Sequence, residues 1–162
     1  MTNTPISHGS FSIERQYEAS PAQVFAAWSN VEIKAQWFIG PPGWTQIKRE
    51  TTFETGGAEI LHGRFENGME THYAARFYEI VANERIVYVY DMHLNGKHHS
   101  LSLSTVEIAP SGGGARLIYT EQTAYLDGTN GTEGTANRER GVSWHMENLS
   151  NVLSPTDRYQ PA

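Results

Sequence analysis

Cysteine is absent from the 162-residue chain, which removes disulfides, thiolate nucleophiles and cysteine-ligated metals together. That absence fits a reducing compartment, and cytoplasmic is the default expectation. No stretch reaches the roughly 18 consecutive apolar residues that a membrane-crossing helix needs, so no membrane role is expected. Residues 1–10 have neither a basic start nor an apolar run, and no signal peptide is expected there. Positive charge is scarce: 12 Lys and Arg stand against 18 Asp and Glu, a formal net charge of −6. Phosphate backbones are held by clustered Lys and Arg, and here only Lys48-Arg49 and the pair Arg138 and Arg140 lie close together. A nucleic-acid partner is therefore not expected. A Gly-x-Ser-x-Gly elbow is missing too. The glycine run Gly112-Gly113-Gly114 sits between two strand patterns, whereas a phosphate loop needs a helix after it, so no cofactor is expected.

What remains is an ordinary globular composition, 38% hydrophobic and 19% charged, at a length typical of one domain. Residues 1–9 are polar and read as a loose arm, 10–154 as the domain and 155–162 as a tail. Residues 10–18 alternate as a strand, with Phe11, Ile13, Arg15 and Tyr17 on one side. Ser20-Pro21-Ala22-Gln23 then opens a helix: Ser20 caps, Pro21 takes the first position and Gln23 completes a capping box. Asn30 caps a second short helix running toward Trp37-Phe38, and Gly40-Pro41-Pro42-Gly43 is a loop of preset geometry. From Trp44 the period becomes two, giving strands over 44–52, 58–66, 70–81, 85–93, 98–109 and 115–123. Asn67-Gly68 and Asn95-Gly96 between them are hairpin signals, because both residue types tolerate positive φ. Within 98–109 the apolar pairs Leu101/Leu103 and Val106/Ile108 are out of phase, and a bulge at Ser104-Thr105 would reconcile them. Residues 133–153 return to helical spacing, with Val142, Met146, Leu149 and Leu153 on one stripe, and Pro155 ends the helix. The order predicts an α+β domain. About seven antiparallel strands form a curved sheet, and two short helices and a long C-terminal helix enclose a cavity against it.

Four stretches carry a family resemblance: residues 20–28, residues 37–44, Ser111-Gly112-Gly113-Gly114-Ala115-Arg116-Leu117, and Arg138-Glu139-Arg140-Gly141-Val142 followed by Met146 and Leu149. In this order they resemble the heat-shock-protein-90 ATPase activator homologue family, of the START-like, or SRPBCC, superfamily. The resemblance spans residues 10–153. It implies the helix-grip fold and, through a superfamily that includes lipid binders, hormone receptors, polyketide cyclases and co-chaperone domains, a cavity binder. One departure is Trp37-Phe38, where members often carry two tryptophans.

The candidate ligand-binding residues follow from the strand faces. Trp37, Phe38 and Trp44 bracket the Gly-Pro loop, either as a lid at the cavity mouth or as packing beneath the short helices. Leu61 and Phe65 share a face with Glu59. Tyr73 shares one with Phe77, Tyr88 and Tyr90 share one with Ile86 and Met92, and Tyr119 shares one with Leu117 and Glu121. Met146 and Leu149 face them from the long helix. Glu121, and less so Glu59, would act as a polar anchor if turned inward, where desolvation raises a carboxyl pKa. The seven histidines show no ligand spacing. His98 and His99 are adjacent and face opposite sides of a strand, while His62, His72 and His93 sit on separate strands and meet only if the register aligns them, so no metal is expected. Val87 and Val89 on the outer face would suit a homodimer contact or an approaching partner. The expected function is binding of a small apolar or aromatic ligand. The alternatives are a cyclase- or hydratase-type enzyme using cavity Glu and Tyr, and a chaperone-interacting domain.

Overall fold

Short-range capping fixes the helices. Ser20 Oγ accepts from the Gln23 amide at 3.2 Å and Gln23 Oε1 accepts from the Ser20 amide at 2.9 Å, opening helix α1 (Pro21–Ser29) with both orphan donors satisfied. Asn30 closes α1 through its own amide to Ala26 O. Its Oδ1 also accepts from the Ile33 amide, so it caps α2 (Val31–Trp37) as well. Asn130 does the same for α3 (Gly131–Leu153), which therefore begins two residues before the predicted start. The computed structural model describes residues 4–154. The predicted tail with Pro155, and residues 1–3 of the predicted arm, lie outside them.

Seven strands complete the chain: β1 (Ser7–Tyr17), β2 (Trp44–Thr51), β3 (Ala58–Phe65), β4 (Glu70–Val81), β5 (Arg85–Leu94), β6 (Lys97–Ser111) and β7 (Gly114–Tyr125). All pair antiparallel in one open sheet of order β1-β7-β6-β5-β4-β3-β2. The Asn95-Gly96 turn has positive φ at both residues, 50° and 79°, as a tight hairpin demands. β1 starts at Ser7, because Ser7, His8 and Gly9 of the predicted arm find partners in Tyr125, Ala124 and Thr123.

The bulge predicted at Ser104-Thr105 is absent. β6 pairs with β7 without a break from Ser100 to Ser111, and the irregularity lies against β5, where His99 is left over between His98 and Ser100. Ser100, Ser102, Ser104, Val106 and Ile108 consequently point inward together, while Leu101 and Leu103 face out at 41% and 38% exposure. Buried serines are admissible because an interior ion pair supplies hydrogen bonds to Ser100 and Ser102, and the Tyr119 hydroxyl supplies one to Ser104. Further register shifts in β2 and β4 add bend and twist to the sheet.

The concave side is apolar, and α3 packs across it onto β1, β7 and α2. Met146 and Leu149 are fully buried beneath α3, with Val142 and Leu153 at the margin of the stripe. Val24, Ala27, Ile86, Val106 and Leu117 complete a core in which each large side chain contributes about 1.5–3 kcal/mol. Val87 and Val89 lie on the convex side, half-buried. The register also sets His62, His72, His93 and His98 beside one another across β3 to β6, a meeting that strand spacing alone did not predict.

Candidate functional site

Alternation sends every second side chain of the central strands toward α3, and these do not fill the space. A cavity of about 820 Å³ remains. Leu61 and Phe65 of β3, Tyr73 of β4, Tyr88 and Tyr90 of β5, and Tyr119 of β7 wall it, and Met146 lines it from α3. The rings contact one another: Tyr73 and Tyr90 have centroids 4.8 Å apart, Tyr88 and Tyr90 6.4 Å. Burial raises the pKa values of Tyr73, Tyr88, Tyr90 and Tyr119, so all four are neutral phenols at physiological pH. Three predicted residues do not line the space. Phe77 packs between Phe53 and Tyr88 in the core, Leu149 lies three residues past Met146 in the core, and Glu121 is sealed behind Tyr90 and Tyr119.

The segment after α2 forms one wall. Trp37 both lines the cavity and pins α2 to α1, its Nε1 donating to Ala27 O at 2.9 Å and its ring meeting Trp28 edge-on at 4.7 Å. The Phe38 ring stands between Tyr73 and His145, 5.0 and 5.1 Å away. Trp44 covers Gly40 and Gly63 so closely that a Cβ on either would sit 2.2 or 1.9 Å from the indole, and its Nε1 donates to Thr71 Oγ1 at 2.9 Å. The intervening main chain is fastened: Arg49 donates to Phe38 O at 2.6 Å and His145 Nε2 to Ile39 O at 2.8 Å. Phe38 and Trp44 are thus cavity wall, and Trp37 is wall and packing at once.

Two ion pairs lie among the aromatic rings, and their cations, Lys34 and Arg138, line the cavity as well. Lys34, 4% exposed, meets Glu59 at 2.7 Å and sits against the rings of Trp28, Trp37, Phe38, Phe77 and Tyr88. Arg138 meets Glu121 at 2.9 Å. The Glu121 carboxylate also accepts from the hydroxyls of Tyr119 at 2.6 Å, Tyr90 at 2.7 Å, and Ser102 and Thr123 at 2.9 Å. Arg138 donates in addition to Tyr90 Oη and Ser100 Oγ. Burial lowers the Arg138 pKa, but Tyr90 and Glu121 outweigh it and the net direction is upward.

Sequence reasoning missed Arg138, Lys34 and the serine row. The signals were there: Arg138 extends the Val142–Met146 stripe one turn upstream, and Ser100, Ser102 and Ser104 alternate as an inward face does. Tyr73 differs from Tyr90 and Tyr119. Its hydroxyl has no hydrogen-bond partner among the described residues, although the residue lines the cavity and is only 6% exposed.

The chain matches a family model described as Activator of Hsp90 ATPase homolog 1-like protein over residues 18–154. No curated protein matches it significantly. Among solved structures, a Rhizobium loti protein is 36% identical with a TM-score of 0.83, the alignment covering 92% of this chain and 99% of that one. An uncharacterized protein from Rhizobium leguminosarum is 34% identical, with a TM-score of 0.86 over 92% of this chain and 96% of that one. An AHSA1-like protein from Aeromonas hydrophila shares the fold at 18% identity, with a TM-score of 0.68 over 95% and 99% of the two chains.

Proposed function

The chain belongs to the Activator of Hsp90 ATPase homolog 1-like family, with its START-like fold, and from that premise we propose that it binds one small, uncharged, largely apolar or aromatic molecule between the sheet and α3. The observation that carries this reading is a cavity of about 820 Å³ walled by aromatic rings, within the size range of small-molecule sites. Charge sets the preference for a neutral ligand. The two cations held inside the wall already have carboxylates, Lys34 with Glu59 and Arg138 with Glu121, and Arg140, which also lines the cavity, is exposed to water, so a ligand carboxylate seated among the aromatic rings would be desolvated without a free counter-ion beside it. The unpartnered Tyr73 hydroxyl is a polar group that would orient the guest. General acid–base chemistry is less well supported, because five donors already occupy the Glu121 oxygens.

The test pairs native mass spectrometry of untagged protein, for any co-purified guest, with a fluorescence titration. N-phenyl-1-naphthylamine is neutral, and 1-anilinonaphthalene-8-sulfonate adds a negative charge to the same ring system. The neutral probe is expected to bind at least tenfold more tightly, and Leu61→Trp, which fills the cavity, to weaken it at least tenfold with an unchanged circular dichroism spectrum. Stronger binding of the sulfonate, or equal binding by Leu61→Trp, overturns the reading.

A further inference from the structure

The convex face of the sheet, opposite the cavity, carries a cluster of different chemistry. His62 of β3 and His72 of β4 are directly opposed in the register, with ring centroids 3.6 Å apart. Two residues before His72, Glu70 points to the same side, and its Oε1 lies 3.0 Å from His62 Nε2. One donor atom from each of the three residues falls within 4.8 Å of the others, and all three residues are half-buried. We propose that His62, Glu70 and His72 form a site for a divalent transition-metal ion of the zinc class, independent of the cavity.

The donor set argues for that class. Two imidazoles and a carboxylate suit zinc, cobalt, nickel or copper better than magnesium or calcium, which prefer all-oxygen shells. Donors about 2.1 Å from a tetrahedral ion stand about 3.4 Å apart, so side-chain rotation of roughly an ångström closes the site. Three protein ligands leave a fourth position for water.

The main chain already holds the cluster in place. Glu70 begins β4, and its amide donates to Asn95 Oδ1 at 2.8 Å while its carbonyl accepts from the Asn95 amide at 2.9 Å. The turn between β5 and β6 thereby fixes the first residue of β4. Arg64 holds the other carboxylate oxygen at 3.0 Å, leaving Oε1 directed at His62. A guanidinium there competes with a metal for the same carboxylate, and this gives the proposal a signature that a simple salt-bridge cluster lacks. His93 faces His72 from β5 and stacks on His98, which is paired with Asp91, but neither completes a donor set of this closeness.

The experiment is a titration of the untagged full chain with Co²⁺, followed by absorbance, and displacement by Zn²⁺. One equivalent of Co²⁺ is expected to bind saturably. Glu70→Gln and His72→Asn are each expected to weaken it at least tenfold with unchanged circular dichroism, and Arg64→Ala to tighten it severalfold, while His98→Asn leaves it within twofold. Absence of saturable binding overturns the proposal. So does binding that survives both Glu70→Gln and His72→Asn, or that is lost in His98→Asn.

Discussion

Glu121 shows how much a single interior charge depends on its partner. A carboxylate with no solvent exposure is tolerable here because Arg138 and four hydroxyls surround it. Removing one member of a buried pair leaves the other uncompensated, so Arg138→Met is expected to destabilise the protein by about 3–5 kcal/mol in urea unfolding. The double substitution Arg138→Met with Glu121→Leu is expected to cost clearly less than the two singles combined, because no charge is then stranded. Glu121 was legible in the sequence, since it alternates with Leu117 and Tyr119 on an inward face. Arg138 was legible only in retrospect. An arginine in a polar helical turn ordinarily points to water, and what brings this one inside is a carboxylate 17 residues away that no local pattern announces.

At the scale of elements, the contact of Trp44 with Gly40 and Gly63 joins the start of β2 to β3 and to the loop after α2. A methyl group at Gly63 would meet the indole at 1.9 Å, so Gly63→Ala must push Trp44 aside and break its bond to Thr71. Overpacking of this kind costs about 1–3 kcal/mol. The expected signs are a lower urea midpoint and a red-shifted tryptophan emission, as the displaced indole meets water. Most elements could be read from local chemistry: capping at Ser20 and Asn30, the Asn-Gly turns, and the return to helical spacing after Asn130. β6 was the exception. Its leucines and serines alternate with equal regularity, and hydrophobicity assigns the leucines inward. The actual choice is made by hydrogen bonding to groups on β7 and α3, which a single strand cannot reveal.

For the whole molecule, acid should act in two separate steps. His145 clamps α3 to the loop at Ile39, and burial lowers its pKa against the opposing bond to the Ile39 carbonyl, with Lys34 and Arg49 adding repulsion. It resists protonation when folded, while the unfolded chain takes up a proton below its ordinary pKa of about 6.5. Stability from this group is full above that value and declines as pH falls below it. Asp127 behaves as the opposite charge type. Burial raises its pKa, but hydrogen bonds from Thr129 and His99 prevail and hold it at about 2. Its contribution is full above the ordinary carboxyl pKa of about 4 and is lost as pH falls from there toward 2. Thermal melts from pH 8 to 2.5 should show both declines, and His145→Gln, which keeps a donor for Ile39 O, should shrink the first alone, the remainder resting on His72, whose pKa burial also lowers. An unchanged profile in that variant would contradict the assignment. At this scale the order of elements was enough to anticipate the sheet, the helices and the cavity between them. The neutralised pairs were not legible because they depend on how α2 and α3 pack against the sheet, and the row of histidines was not because it depends on strand register.

Sheet order also governs when the domain can fold. β1 is an edge strand whose only strand partner among the described residues is β7, so Ser12 waits for Thr120, 108 positions later, before its hydroxyl finds its mate. At synthesis rates of about 5–20 residues per second, that interval is roughly 5–20 s, during which β1 emerges with no neighbour to pair with. The meander from β2 to β6 can assemble by short hairpins in the meantime, but α3, which roofs the space, arrives last of all. For the greater part of its synthesis this chain is therefore an incomplete sheet with an unpaired edge.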